Sequence, residues 1–257
     1  MSANTDIVIQ GGMWDQTYDI ALDYCELDFV NRVIISTWET EKDKIAKYPD
    51  HPNIVWVVNK FPDNPGPSYS DGRPGNINLA IISSRSGIEA TTSPVVVKIR
   101  SDMHISSDGM QTLNKFYKKF SRIPRINCEY LKKPSSQIFA LGVNSAWPYC
   151  PHDQVFWGER QDLVDLFSLP LAEADHPMAK AVPVFRPEIY IGAHYYARFN
   201  ELVGEHLNDP RTYLIDDAPR FGEALRHSTT LGHELFKPFP RVDMNWVKYN
   251  SGFMYIS

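Results

Sequence analysis

Short apolar runs alternate with amphipathic stretches through the first hundred residues. Asp6-Ile-Val-Ile-Gln10 ends in Gly11-Gly12, and further runs cover Arg32–Trp38, Asn53–Asn59 and Val95–Arg100. Runs of this length, rich in β-branched residues and bounded by turn formers, read as buried strands. Between them, residues 14–29 place Ile20, Leu22 and Leu27 among acids, and residues 39–47 are charged until Pro49 and Pro52. Residues 76–90 set Ile77, Ala80, Ile81 and Ile88 on one face, behind Asn76 in the N-cap position. Strands and helices in this order predict a right-handed βαβ array: an α/β fold with a mostly parallel sheet. Residues 63–75 are dense in Pro, Gly, Ser and Asp, which predicts an irregular loop.

The pattern loosens further on. Residues 113–120 read as a helix, 125–130 and 137–143 as two strands added antiparallel, and 160–167 and 187–206 as helical. After that the periodicity becomes less regular. At 257 residues the chain fits one α/β domain spanning 1–257, with halves of about 1–105 and 106–257.

Composition narrows the functional classes. Apolar residues make up 43 % and charged residues 22 %, as in a folded globular chain. A net charge of −5 leaves no basic footprint, which argues against a nucleic-acid partner. Cys25, Cys128 and Cys150 show no CxxC spacing and read as reduced thiols of a cytoplasmic protein. No secretory signal opens the chain and no run is long enough to span a bilayer, so any membrane contact is expected to be peripheral, for instance through Lys118, Lys119 and Arg122. Walker, GxSxG, HExxH and GxGxxG motifs are absent.

The strongest chemical signal is the end of the fourth run. Val95–Arg100 stops at Ser101, then Asp102, one spacer and His104. Ligands of open α/β sheets gather at the carboxyl ends of strands. If the chain stays extended, residues two apart face the same way, which would aim Asp102 and His104 at one cation. A carboxylate beside an imidazole suits Mn²⁺ or Mg²⁺. The same alternation sends Lys98 and Arg100 to the side of Asp102.

Five motifs extend the picture: Gln10-Gly11-Gly12, Ser36-Thr37-Trp38-Glu39, Asn76-x-Asn78 followed by Ile-Ile-Ser-Ser, Lys98-x-Arg100-Ser101-Asp102-Met103, and Asp153-x-x-Phe156-Trp157-Gly158. In this order, over roughly the first two thirds of the chain, the sequence resembles the WavE-type lipopolysaccharide-synthesis glycosyltransferases. The resemblance implies a GT-A-like fold with a Rossmann-type sheet for a nucleotide-diphosphate sugar and a smaller helical portion for a glycan or lipid-linked glycan acceptor. It implies a DxD-type motif in which His104 stands where the second Asp would be. By the same resemblance, Gln10, Gly11, Thr37 and Trp38 flank the nucleoside. Asp102 holds the metal and diphosphate, with Arg85, Lys98 or Arg100 adding positive charge. Asp153, expected to open a helix beside His152, is the candidate base for the acceptor hydroxyl, and Glu188 the second. Asp153 as a simple helix cap is the competing reading.

Two other functions compete. A sugar nucleotidyltransferase shares the sheet and the carboxylate, but normally carries cations in its first glycine loop, where Gly11-Gly12-Met13-Trp14-Asp15 has none. A non-catalytic nucleotide-sugar or glycan-binding module is favoured only by His104.

Overall fold

The computed structural model describes residues 4–68, 75–121, 137–142, 147–176, 186–209, 218–240, 242 and 244–246. Its four β-branched runs form β1 (Thr5–Gln10), β2 (Val30–Trp38), β3 (Ile54–Asn59) and β4 (Val95–Arg100), mutually parallel in the order β3-β2-β1-β4. This is the Rossmann-like half that the periodicity predicts. Three later strands extend it: β6 (Ile138–Ala140), β7 (Val155–Glu159) and β8 (Phe236–Pro238) complete a seven-stranded sheet in which β7 runs antiparallel to β4 and β6. A separate antiparallel pair joins β5 (Met103–Ile105) to β9 (Met244–Trp246). The fold is thus mixed α/β with a mostly parallel sheet.

The period-two alternation of the strands builds two apolar layers. Ile7, Ile9, Val33, Ile35, Val97 and Ile99 face α1 (Thr17–Cys25) and α4 (Ser107–Phe120) through Tyr24, Met110, Leu113 and Tyr117. Val8, Ile34 and Val96 face the opposite layer, made by α3 (Ile77–Glu89), α5 (Arg160–Phe167) and the first helix of the 187–206 stretch, Pro187–Ala197, called α6. Glu201–Asn208 (α7) and Ala218–Leu235 (α8) pack onto that second layer, through Val203, Ala224 and Leu235. Between β2 and β3 the charged stretch gives a short 3₁₀ turn, Glu39–Glu41, and α2 (Lys42–Ile45).

Several elements differ from the sequence expectation. The chain at Asp153 enters a strand, not a helix: β7 begins two residues later and the helix only at Arg160. Apolar residues at 155–157 lie between two strands and are all buried, so no helical stripe was needed. α4 starts well before Leu113 because Ser106 Oγ accepts the Gly109 amide as a side-chain cap. Asn76 stands at the N-cap of α3 without a side-chain cap bond. α8 fills a stretch read as irregular, where Gly222, Gly232 and Thr229-Thr230 blur its apolar stripe. The strand expected at 125–130 lies outside the described residues. Among these residues no helix is long and apolar enough to cross a membrane.

Candidate active site

The carboxyl ends of β1, β2 and β4 open into a cleft of about 180 Å³. Gln10, Gly11, Gly12 and Trp14 line it from β1, Trp38 from β2, and Arg100, Ser101 and Asp102 from β4. Asn76, Leu79, Ala80 and Ser83 of the α3 region close one side, and Asp153 and Pro187 the other. Gly11 has φ +123°, which side-chain-bearing residues rarely adopt, and a Cβ there would lie 2.8 Å from Ser101 Oγ. The Ser101 amide donates to the Gln10 carbonyl and its hydroxyl to the Gly12 carbonyl, at 2.8 and 2.7 Å. The glycine turn and the end of β4 are therefore locked together, leaving backbone, not side chain, facing the cleft at Gly11.

Arg100 is the hub of the charged residues. Its Nε and Nη2 donate to the two oxygens of Asp102 at 3.0 and 2.7 Å, a fork that fits a carboxylate, and Nη1 lies 3.4 Å from Asp153 Oδ1. Burial works against the guanidinium charge, but Asp153 and Asp102 outweigh it and raise its pKa above the ordinary value. Asp153 is only 2 % exposed. Facing it from the first turn of α6 is Glu188, whose carboxyl is pushed up to about 7 by burial and then by the charge of Asp153, against its own backbone N–H, Arg100 and Arg186.

The loop that delivers Asp153 is pressed onto α6. A Cβ on Gly192 would sit 1.9 Å from the Tyr149 carbonyl oxygen and 2.5 Å from Pro151 Cδ, so only glycine admits this contact. Tyr149 itself has φ 54°, donates its amide to Ser228 Oγ of α8 and shares a 2.7 Å hydrogen bond with His206 Nδ1 of α7. Three helices thus fix the turn that leads to the cleft.

The structure brings together Gln10, Gly11, Trp38, Arg100, Asp102 and Asp153, with Glu188 beside them. It separates four others. Thr37 is wholly buried and does not line the cleft. Lys98 is wholly buried beneath it, donating to the Asp153 carbonyl at 2.5 Å, so it does not reach a bound ligand. Arg85 donates Nε to the Phe167 carbonyl at 2.9 Å and Nη2 to that of Leu169 at 2.5 Å, clamping α3 to the end of α5. Arg85→Met is accordingly expected to lower stability by about 1–3 kcal/mol, the worth of charged hydrogen bonds to buried carbonyls, and to leave ligand affinity unchanged; urea denaturation and calorimetry check the two halves.

His104 is the fourth. β4 stops at Arg100, Ser101 and Asp102 form a turn, and pairing resumes at Met103 in the other sheet, so the two-residue alternation does not run from 102 to 104. The His104 ring lies 6.1 Å from that of Tyr24, and burial lowers its pKa against the pull of Asp23, its charged neighbour. As a metal site the pair does not fit: His104 is turned to α1, and both Asp102 oxygens lie in the Arg100 fork. Among the described residues no three His, Cys, Asp or Glu side chains could hold a metal ion together.

Sequence reasoning missed Gly12, Trp14, Asn76, Leu79, Ala80, Ser83, Ser101 and Pro187 as lining residues. Pro187 carried a signal, since proline at the first position of a helix fixes where the next side chain, Glu188, emerges.

The model for the family described as WavE lipopolysaccharide synthesis matches residues 30–205. No curated protein matches the sequence. Among solved structures, the chain is similar to 4-diphosphocytidyl-2C-methyl-D-erythritol synthase of Anaerococcus prevotii, at 11 % identity over 68 % of this chain and 81 % of that one, TM-score 0.37. It is similar to Rv0371c of Mycobacterium tuberculosis in complex with manganese, at 12 % identity over 64 % and 75 %, TM-score 0.38. It is also similar to TarS of S. aureus, at 12 % identity over 76 % of this chain and 34 % of that one, TM-score 0.40.

Proposed function

The chain belongs to the WavE lipopolysaccharide synthesis family, and on that premise we propose that it is a glycosyltransferase, moving a sugar from a nucleotide-diphosphate donor to a hydroxyl of a bacterial surface glycan or its lipid-linked precursor. The observation that carries the reading is the Arg100 hub, a guanidinium flanked by two carboxylates at the carboxyl end of β4, in a cleft edged by Trp38 and the Gly11-Gly12 backbone. In this reading residues 1–105 hold the donor, with Trp38 against the base, and later residues bring the acceptor. Breaking the bond from the anomeric carbon to the diphosphate leaves negative charge on the departing oxygen, and Arg100 is the cation that meets it. Asp153 takes the proton from the acceptor hydroxyl as the new bond forms. Glu188 is the neighbouring carboxyl to which that proton passes on its way to solvent.

Turnover of a panel of nucleotide-diphosphate sugars, run with Mn²⁺ and with chelator, tests the reading. Release of nucleotide diphosphate that depends on an added glycan acceptor supports it. If wild-type protein binds no nucleotide diphosphate in a thermal-shift screen and consumes no donor in either arm, the reading is wrong. A rate lost with chelator would require Asp102 to leave the Arg100 fork, which calorimetry with Mn²⁺ on Asp102→Asn would reveal.

A further inference from the structure

Among the described residues, Lys98 is a buried cation of this region that the mechanism above does not use. It sits mid-strand in β4, 0 % exposed, opposite Phe156 of β7. Its Nζ lies 5.6 Å from the centre of the Phe156 ring and 5.7 Å from that of Phe167, and it donates to the backbone carbonyl of Asp153. An ammonium buried between two rings on a backbone acceptor, with no carboxylate in contact, is costly. An apolar side chain would fill the same space between the same rings more cheaply.

We propose that Lys98 is a positioning residue of the cleft: from beneath the sheet edge it fixes the Asp153 backbone and adds, with Arg100 and Arg186, to the positive charge under which Asp153 and Glu188 handle a proton. The inference rests on the reading of those two carboxyls as the proton-handling pair. The charged groups acting on Lys98 are Arg100 on its own strand, Asp102 in the following turn, Asp153 before β7 and Glu188 on α6. Burial draws the ammonium down to about 8 while Asp153, Asp102 and Glu188 support its charge. Around the pair stand also Arg186, His152 and Cys150. None of these three reaches the Asp153 carbonyl from below, as Lys98 does. The rings screen Lys98 from solvent, so its charge is attenuated less than that of a solvated lysine.

Lys98→Met removes both the charge and the hydrogen bond, and Lys98→Gln removes only the charge while retaining a donor. Carboxyl-carbon NMR titration of the full chain, with Glu188 assigned by the Glu188→Gln difference, reads the pair directly and needs no substrate. In both variants the midpoint is expected to rise by about one pH unit, the size of effect a lost neighbouring cation has on a carboxyl. The melting temperature should equal or exceed that of wild type, because a buried charge has been removed. Turnover at pH 7 should fall about fivefold, recover as the pH is raised, and show a donor KM within about twofold of wild type. The Gln variant keeps the test decisive if Lys98→Met does not fold. A midpoint unmoved in the variants overturns the proposal, as does a falling melting temperature with an unshifted pH profile, which would make Lys98 only a structural residue. A shifted midpoint in a protein that transfers no sugar would leave the charge coupling standing and overturn the transferase reading instead.

Discussion

Asp153→Asn is expected to retain donor affinity and lose kcat by about 10² to 10⁴, the usual worth of a general base. The substitution keeps the shape of the side chain. The Lys98 bond goes to the backbone carbonyl and is untouched, and Nη1 of Arg100 stands 3.4 Å from Oδ1, a contact the amide oxygen reproduces in part. The proton acceptor disappears, and with it the negative charge that helps to hold the Glu188 carboxyl up. Since the residue precedes β7 and caps no helix, its loss carries no helix-cap penalty that would confuse the result. Calorimetry with a nucleotide diphosphate and steady-state rates against acceptor measure the two quantities separately. Turnover close to wild type would pass the role of base to Glu188, whose raised pKa makes it the stronger proton acceptor once ionised. A loss of donor affinity would instead place Asp153 against the donor.

The parallel half of the sheet was legible because its signals are local. Buried strands repeat β-branched residues, and the glycines after β1 and the polar turn after β4 mark where they stop. This sufficed to bring Gln10, Gly11, Trp38, Arg100 and Asp102 to one edge. The error at His104 came from extending strand periodicity past the end of its strand, where the turn at Ser101-Asp102 resets the direction of every following side chain. Lys98 and Arg100 share a face as alternation requires, yet two residues of depth separate a wholly buried ammonium from a guanidinium at the cleft. Sequence spacing gives direction without depth. Nor can spacing show that Arg85 spends its donors on the carbonyls of Phe167 and Leu169, more than eighty residues away. Asp153 and Glu188 were named one by one, but their pairing depends on how Gly192 admits the Tyr149–Pro151 loop against α6, a contact between distant segments.

Arg100→Gln is expected to abolish measurable donor turnover and to cost the fold about 2–3 kcal/mol at neutral pH, somewhat below the usual penalty for breaking a buried ion pair because the guanidinium keeps 29 % of its surface in water. Three carboxyls lose their common partner at once: Asp102 loses both hydrogen bonds, and Asp153 and Glu188 lose the charge that offsets their mutual repulsion. The Glu188 carboxyl, at about 7 with Arg100 in place, must then rise in the folded variant. A carboxyl whose folded pKa exceeds its unfolded value takes up protons on folding, so its effect on stability is harmless at low pH and grows as the pH rises. The deficit of Arg100→Gln should therefore be larger above pH 7, where Glu188 ionises, than near pH 5, as urea denaturation at several pH values, with an unchanged m-value, would show. Arg100→Lys separates charge from shape. It restores the cation but not the fork that engages both oxygens of Asp102, so the neutral-pH stability should recover in large part while donor affinity stays at least about tenfold weaker than wild type. Full recovery of affinity in the lysine variant would show that the site needs only a positive charge at this position. A pH-independent deficit in the glutamine variant would show that Arg100 does not offset the charge of Glu188.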